Sequence, residues 1–143
     1  MALTRHETGI TWSSAASTTL SSATRVDSDA FVFDATDIAA AITLSADNAG
    51  TPAAGDIVDV FVKWTTGDIL GDSGDDYDTN EHAEYLGRLD TVAANTPGED
   101  PVRRTFSLSH MIGAKGLRVS VEAPQAASRN IVVRARMGTQ RAA

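Results

Sequence analysis

The residues with the most chemical potential lie in an acidic stretch near the middle of the chain. Residues Gly67–Glu84 read GDILGDSGDDYDTNEHAE and contain seven carboxylates. Calcium is bound by about six to eight oxygen ligands. A set of carboxylates this dense could therefore supply a calcium site in a loop. The candidate ligands are Asp72, Asp75, Asp76 and Asp78. The alternative is a solvated acidic loop whose mutual repulsion keeps it exposed and opposes aggregation.

The acidic stretch does not match an EF-hand. Asp76, Asp78 and Asn80 have the spacing of the first three ligand positions. Glu81 then occupies the position that requires glycine, and Gly87 occupies the position of the bidentate acid. Any calcium site here would therefore belong to another class, and the sequence predicts no other metal or cofactor.

No set of residues predicts an enzyme. His6, His82 and His110 are far apart in sequence, whereas zinc sites usually draw on several histidines or cysteines, and the chain contains no cysteine. Ser109 precedes His110, but no G-x-S-x-G nucleophile turn is present. Glycine-rich phosphate-binding sequences are also missing. We therefore predict a protein without catalytic activity.

Charge is distributed unevenly along the chain. Residues 56–100 contain twelve acids and two bases, whereas residues 101–143 contain one acid and eight bases. The two segments could be neighbours in one fold, or the bases could lie on a solvated face. Alternatively, acidic and basic surfaces could meet between copies or partners. The net charge of −7 makes nucleic-acid binding unlikely. The candidate contact residues for a partner or a second copy are Trp12, Arg103, Arg104, Arg134 and Arg136.

Short alternating segments predict an all-β fold. In Asp56–Thr66, Val58, Val60, Val62 and Trp64 fall on one side, which predicts a central strand with Trp64 in the core. Leu117–Ala123 and Asn130–Met137 alternate in the same way, and Thr79–Leu89 favours a strand over a helix because Gly87 disfavours the helix. Seven to nine short strands predict an antiparallel β-sandwich or small barrel, jelly-roll or immunoglobulin-like, with little helix.

Length and composition predict a single domain with a lean core. We expect residues 1–10 to form an extended N-terminal arm and residues 11–143 to form one β-sandwich domain. Leu, Ile, Val and Phe number only 30 of 143 residues, so burial between subunits would add usefully to stability. The first ten residues lack a basic cluster and an apolar run, and no apolar stretch approaches membrane-spanning length. We therefore predict no signal peptide and no membrane partner.

The chain resembles the small, cysteine-free β-sandwich proteins of tailed-bacteriophage virions, in particular capsid decoration (cement) proteins. Three segments contribute to this resemblance: TWSSAASTTLSSATRVDSDAF, GDIVDVFVKWTT with the acidic loop after it, and KGLRVSVEAPQAASRNIVVRARMGT. The resemblance implies a non-enzymatic structural protein that binds and stabilises the shell of major capsid protein in many copies, often as homotrimers. It also implies assembly in the host cytoplasm and a place on the virion surface.

Two other functions remain open at this stage. One is a tail or head–tail connector protein, which belongs to the same structural class. The other is a glycan-binding, adhesin-like module that uses calcium in the acidic stretch. Copy number on a particle separates the first from capsid decoration, and calcium and glycan titrations identify the second.

Overall fold

The structure, a computed structural model, describes residues 2–48, 56–90, 102–124 and 130–142. These residues contain ten strands and one short 3-10 turn, Ser109–Met111. The strands are β1 (Leu3–Gly9), β2 (Thr18–Leu20), β3 (Val26–Asp27), β4 (Phe31–Val32), β5 (Asp37–Asn48), β6 (Ile57–Thr65), β7 (Glu84–Asp90), β8 (Val102–Ser107), β9 (Gly116–Glu122) and β10 (Ile131–Ala142). Among the described residues, no helix has the length and apolarity to cross a membrane.

The strands form two antiparallel sheets that pack as a sandwich. The first sheet has the order β1-β10-β5-β8, and β2 continues along the β1 edge of β10. The second sheet has the order β3-β9-β6-β7, and β4 continues along the β3 edge of β9. This gives two sheets of four strand positions. Every step along the chain changes sheet except β1 to β2, β3 to β4 and β6 to β7. That arrangement is a jelly roll, so the predicted all-β sandwich is confirmed.

The alternating apolar residues of β6 face the core, as predicted. Val58, Val60 and Val62 are fully buried, and Trp64 is almost so. β6 lies between β9 and β7, so both of its edges are hydrogen-bonded. Its apolar face meets the inward rows of the first sheet, where Ile42 and Leu44 of β5 are also fully buried. The prediction of a central strand with Trp64 in the core is therefore confirmed.

The segment predicted as an N-terminal arm lies along the sheet. Leu3–Gly9 is extended, but it pairs with β10 over its whole length, from Leu3 opposite Ala142 to Gly9 opposite Arg136. All seven of its residues are exposed, because it is an edge strand that contributes no side chain to the core. The residues that follow it then turn inward, beginning with the buried Ile10.

A glycine at the start of β9 allows a close approach between strands, and this yields a prediction. A Cβ at Gly116 would lie 2.5 Å from the main-chain oxygen of Phe31 in β4, a contact that no rotamer change can relieve. We expect Gly116→Ala to lower the free energy of unfolding by about 2 kcal/mol, because the paired strands must separate. Thermal unfolding followed by circular dichroism measures this as a fall of roughly 5 °C or more in Tm.

Gly138 in β10 provides the matched control. A Cβ there would meet only the Ala41 oxygen, at an ordinary 3.9 Å. Gly138→Ala should therefore leave the Tm unchanged or raise it slightly, because alanine reduces the freedom of the unfolded chain. Equal Tm values for the two variants would contradict the role assigned to Gly116.

Candidate functional site

A shallow trough runs along the outer face of the first sheet, with β5 as its floor. The outward-facing residues of β5 are small and half-buried, whereas the alternate residues are buried in the core. Longer side chains on the neighbouring strands rise on both sides of this row. The floor residues are Ala39, Ala41, Thr43 and Ser45. At about 3.3 Å per residue the trough is about 20 Å long.

One end of the trough, here the arginine end, is surrounded by three guanidinium groups. Arg134 on β10 and Arg103 on β8 lie on either side of Ser45, and Arg136 lies beside Thr43. They line a depression of about 370 Å³ whose remaining lining is mostly small or apolar. All three arginines are exposed. The arrangement can therefore bind carboxylates or other anions from a partner surface through charge-assisted hydrogen bonds.

Two of these arginines have no partner within the described part of the chain. Arg136 donates to Glu7 at 3.2 Å, but both side chains are about half-exposed or more, so this ion pair contributes little. The described residues contain no ion pair or side-chain hydrogen bond for Arg103 or Arg134. Their donors are available to a partner without first breaking a contact inside the protein.

Three cations on the second sheet are used differently. Lys63 contacts Asp27 at 2.6 Å. Arg25 lies 3.7 Å from the centre of the Phe61 ring and pairs with Glu122. Further along the same face, an arginine of β9 stacks on a tyrosine ring and donates to a main-chain oxygen. These three cations therefore have partners within the protein, unlike Arg103 and Arg134.

The structure separates Arg104 from the other three predicted arginines. Adjacent residues of a strand point to opposite faces, so Arg104 of β8 points away from the trough while Arg103 borders it. Arg104 donates to the Arg88 main-chain oxygen at 3.1 Å and covers the Phe106 ring at 4.8 Å. Arg104 therefore lies on a different face of β8 from the trough, and a role for it in partner contact stays a prediction.

Trp12 is also not available as a contact residue, because it is 3% exposed and belongs to the core. Trp12 and Ala15 exchange two main-chain hydrogen bonds across Ser13 and Ser14, whose φ values of 47° and 68° are those of a tight hairpin turn. Asp29 accepts hydrogen bonds from the Thr11 hydroxyl and the Ser14 amide. The Thr11 hydroxyl is the largest influence that lowers the pKa of Asp29. This turn directs the indole inward.

The carboxylates proposed for calcium bind protein donors instead of facing one another. Asp76 accepts from the amides of Ile69 and Leu70, and Asp78 accepts from that of Trp64. Asp72 accepts from an amide two residues ahead, and Asp75 pairs with a lysine at 2.7 Å. Within the described ranges, no group of three or more His, Cys, Asp or Glu side chains is arranged to hold a metal ion. A calcium site in this loop therefore stays a prediction.

His110 pairs with an acid and not with a serine. Its Nε2 lies 3.0 Å from Glu84 Oε1, and the Trp64 indole donates to the other oxygen of Glu84 at 3.0 Å. The Ser109 hydroxyl instead exchanges hydrogen bonds with the main chain of Ala40. This cluster joins the end of β8 to the start of β7, so it serves to hold the two sheets together.

The sequence analysis missed the floor of the trough and the residues at its second end. There the trough is bordered by Arg5 on β1, Ser107 on β8 and Gln140 on β10, with Gly138 beside Ala41. The signal was present in β5, where every second residue from Ala39 to Ser45 is small. We refer to this second end as the alanine end.

Comparison with solved structures shows that the fold is shared with a viral protein. The chain is similar to VP2 of the infectious bursal disease virus subviral particle, with a TM-score of 0.53, 9% identity, and coverage of 96% of this chain and 32% of VP2. At that identity the match shows a common fold. The chain spans between 11% and 32% of three longer chains that it matches, VP2 among them.

Two smaller proteins match over most of both chains, with lower scores. They are vertex protein P5 of PRD1, with a TM-score of 0.45, 13% identity and coverage of 94% and 95%, and CBM29_1, a family 29 carbohydrate-binding module from Piromyces equi, with a TM-score of 0.44, 11% identity and coverage of 99% and 93%. No protein family and no curated protein sequence matches the chain. The chain is thus a jelly-roll β-sandwich whose structural matches include viral shell proteins and carbohydrate-binding modules.

Proposed function

We propose that this chain is a non-enzymatic structural protein of a virion, which decorates a capsid shell by docking on the major capsid protein. The observation that supports this is the arginine end of the trough. Arg103 and Arg134 border a half-buried floor and have no partner among the described residues, so they are suited to an acidic protein surface. The acidic loop belongs to the other sheet and would face away from the shell.

The chemistry of the trough favours a protein surface over a sugar. Sugar sites commonly use aromatic rings as stacking platforms, as other ligand pockets do. Trp12 and Trp64 are buried, and the residues that line the two ends of the trough include no aromatic ring. Tyr85 is exposed, but it belongs to β7 on the other sheet and donates to Asp59. Glycan binding is therefore the weaker of the two proposals.

Shell binding is tested with a double variant of the arginine end. We expect Arg103→Ser with Arg134→Ser to weaken binding to empty shells of the major capsid protein encoded with this chain by about tenfold or more, because two cationic contacts with the shell are lost. Co-sedimentation at several salt concentrations provides the measurement. Wild-type binding should fall as salt rises, and the variant should depend less on salt.

Arg104→Ser is the control, since it removes one positive charge from the position next to Arg103 and leaves the trough intact. It should bind shells as the wild type does. Equal occupancy of wild type and double variant at every salt concentration would contradict the proposal. Copy number on purified particles then separates decoration, which requires hundreds of copies, from a connector or tail role, which requires about a dozen.

A further inference from the structure

The acidic loop ends in a protruding apolar tip. Ile69 and Leu70 are 81% and 72% exposed, which makes them the most exposed large hydrophobic residues in the described part of the chain. They stand between Asp68 and Asp72 on the loop that joins β6 to β7. Adjacent exposed aliphatic side chains in an otherwise polar loop are typical of contact residues.

Two carboxylates hold this tip in a fixed shape. Asp68 accepts hydrogen bonds from the amides of Leu70, Gly71 and Ser73, at 2.9, 2.8 and 2.6 Å. Asp76 closes the loop from the other side by accepting from the amide of Ile69 at 2.6 Å. The main chain of the tip is therefore satisfied internally. Its side chains are presented to a partner without the entropy cost of ordering a loop on binding.

The alanine end of the trough has a small, apolar floor and an open depression above it. Its floor consists of Ala39, Ala41 and Gly138, which present methyl groups and main chain, and its depression measures about 330 Å³. A cavity of about 150 Å³ holds a molecule of the size of benzene, so this site has room for aliphatic side chains. Gly138 deepens the site because it has no side chain.

The charges around the two features are also complementary. Acidic side chains surround the apolar tip, whereas Arg5 and Arg136 lie beside the alanine end. Glu7 lies between these two arginines and pairs with both, so one positive charge remains in excess there. Opposite charges at the rim of an apolar contact fix its orientation and raise the rate of encounter.

One molecule cannot make this contact with itself. The tip extends from the second sheet, whereas the trough lies on the outer face of the first, with the core of the sandwich between them. We propose that the Ile69–Leu70 tip of one copy of this chain inserts into the alanine end of the trough of a second copy. The two surfaces differ, so repetition of the contact gives a ring when it closes. The arginine end stays free for the shell.

The test uses one variant of each surface. Ile69→Ser with Leu70→Ser removes the tip, and Gly138→Glu places a carboxylate in the alanine end, where the glycine Cβ position is unobstructed. Analytical ultracentrifugation over a range of concentrations measures the mass. We expect the wild type to exceed its 15.0 kDa monomer mass and each variant to associate at least tenfold more weakly.

Mixing the two variants distinguishes this contact from any other. The tip variant keeps a working trough and the trough variant keeps a working tip, so the mixture should form a one-to-one dimer and nothing larger. Val32→Ser, at an exposed site on β4, should associate as the wild type does, and circular dichroism should show all variants folded. A monomeric wild type, unchanged association of the variants, or a mixture without dimer would overturn the proposal. The double variant of the arginine end should still self-associate. Loss of shell binding and loss of self-association can therefore be distinguished.

Discussion

Replacing Trp12 with alanine is expected to lower the free energy of unfolding by about 3–5 kcal/mol. Trp12 is 3% exposed, so its removal leaves a cavity under the turn that leads from β1 to β2. The surrounding turn is held by Asp29 and cannot collapse freely into that space. Urea unfolding followed by circular dichroism measures the change. A loss of this size is a large fraction of the stability of a single domain.

Trp12→Phe is the control for size and chemistry. The indole Nε1 is buried and finds no hydrogen-bond acceptor among the described residues, so its loss carries no penalty for a broken bond. We expect a cost below about 1.5 kcal/mol, set by the smaller ring alone. A Trp12→Ala variant of wild-type stability that no longer associates would restore the contact role suggested by the sequence.

Removing the acid from the partly buried ion pair on the second sheet should have the next largest effect. Asp27→Ala is expected to cost about 2–3 kcal/mol, because it leaves the Lys63 ammonium buried without its partner. The lysine side chain is 10% exposed and lies 2.6 Å from Asp27. Asp27 is 36% exposed, which keeps the expected loss below that of a fully buried pair. Chemical unfolding of the variant provides the value.

The complete double-mutant cycle shows whether loss of the Asp27–Lys63 ion pair causes this destabilisation. Lys63→Met should cost less than about 1 kcal/mol, because the aliphatic stem still packs and Asp27 still accepts from Ser120 at 2.7 Å. The double variant should then be more stable than Asp27→Ala alone, by about 1.5 kcal/mol. If the two single losses simply add, the ion pair is not what stabilises this face.

The alternation of β6 illustrates what local sequence could predict. Side chains on a strand alternate with period two, so Val58, Val60 and Val62 had to share a face whatever their partners were. The same period places Arg103 and Arg104 on opposite faces once β8 is taken as a strand. Their positions on opposite faces could therefore have been predicted from the sequence, whereas a count of charges along the chain does not show them.

The start of β7 shows where local alternation fails. Tyr85, Gly87 and Leu89 occupy alternate positions, so a regular strand would place them on one face, yet Tyr85 is exposed and Leu89 is buried. The register shifts between Val60 and Phe61, so Leu86 is an extra residue on β7. A bulge reverses the faces beyond it. It depends on the pairing with β6, and therefore could not be inferred from β7 alone.

The sequence by itself determined the strands, the all-β class and the segregation of acids and bases, because these follow from the types and short-range order of the residues. Only the tertiary structure decided which carboxylates bind amides, that Trp12 is buried, and that Arg103 and Arg134 share a trough. Those properties depend on pairs such as Ser45 with Arg134, which lie far apart along the chain and meet only when the strands pair. Short-range sequence patterns do not indicate which distant residues come together, so a surface built from three strands can be identified only from the folded structure.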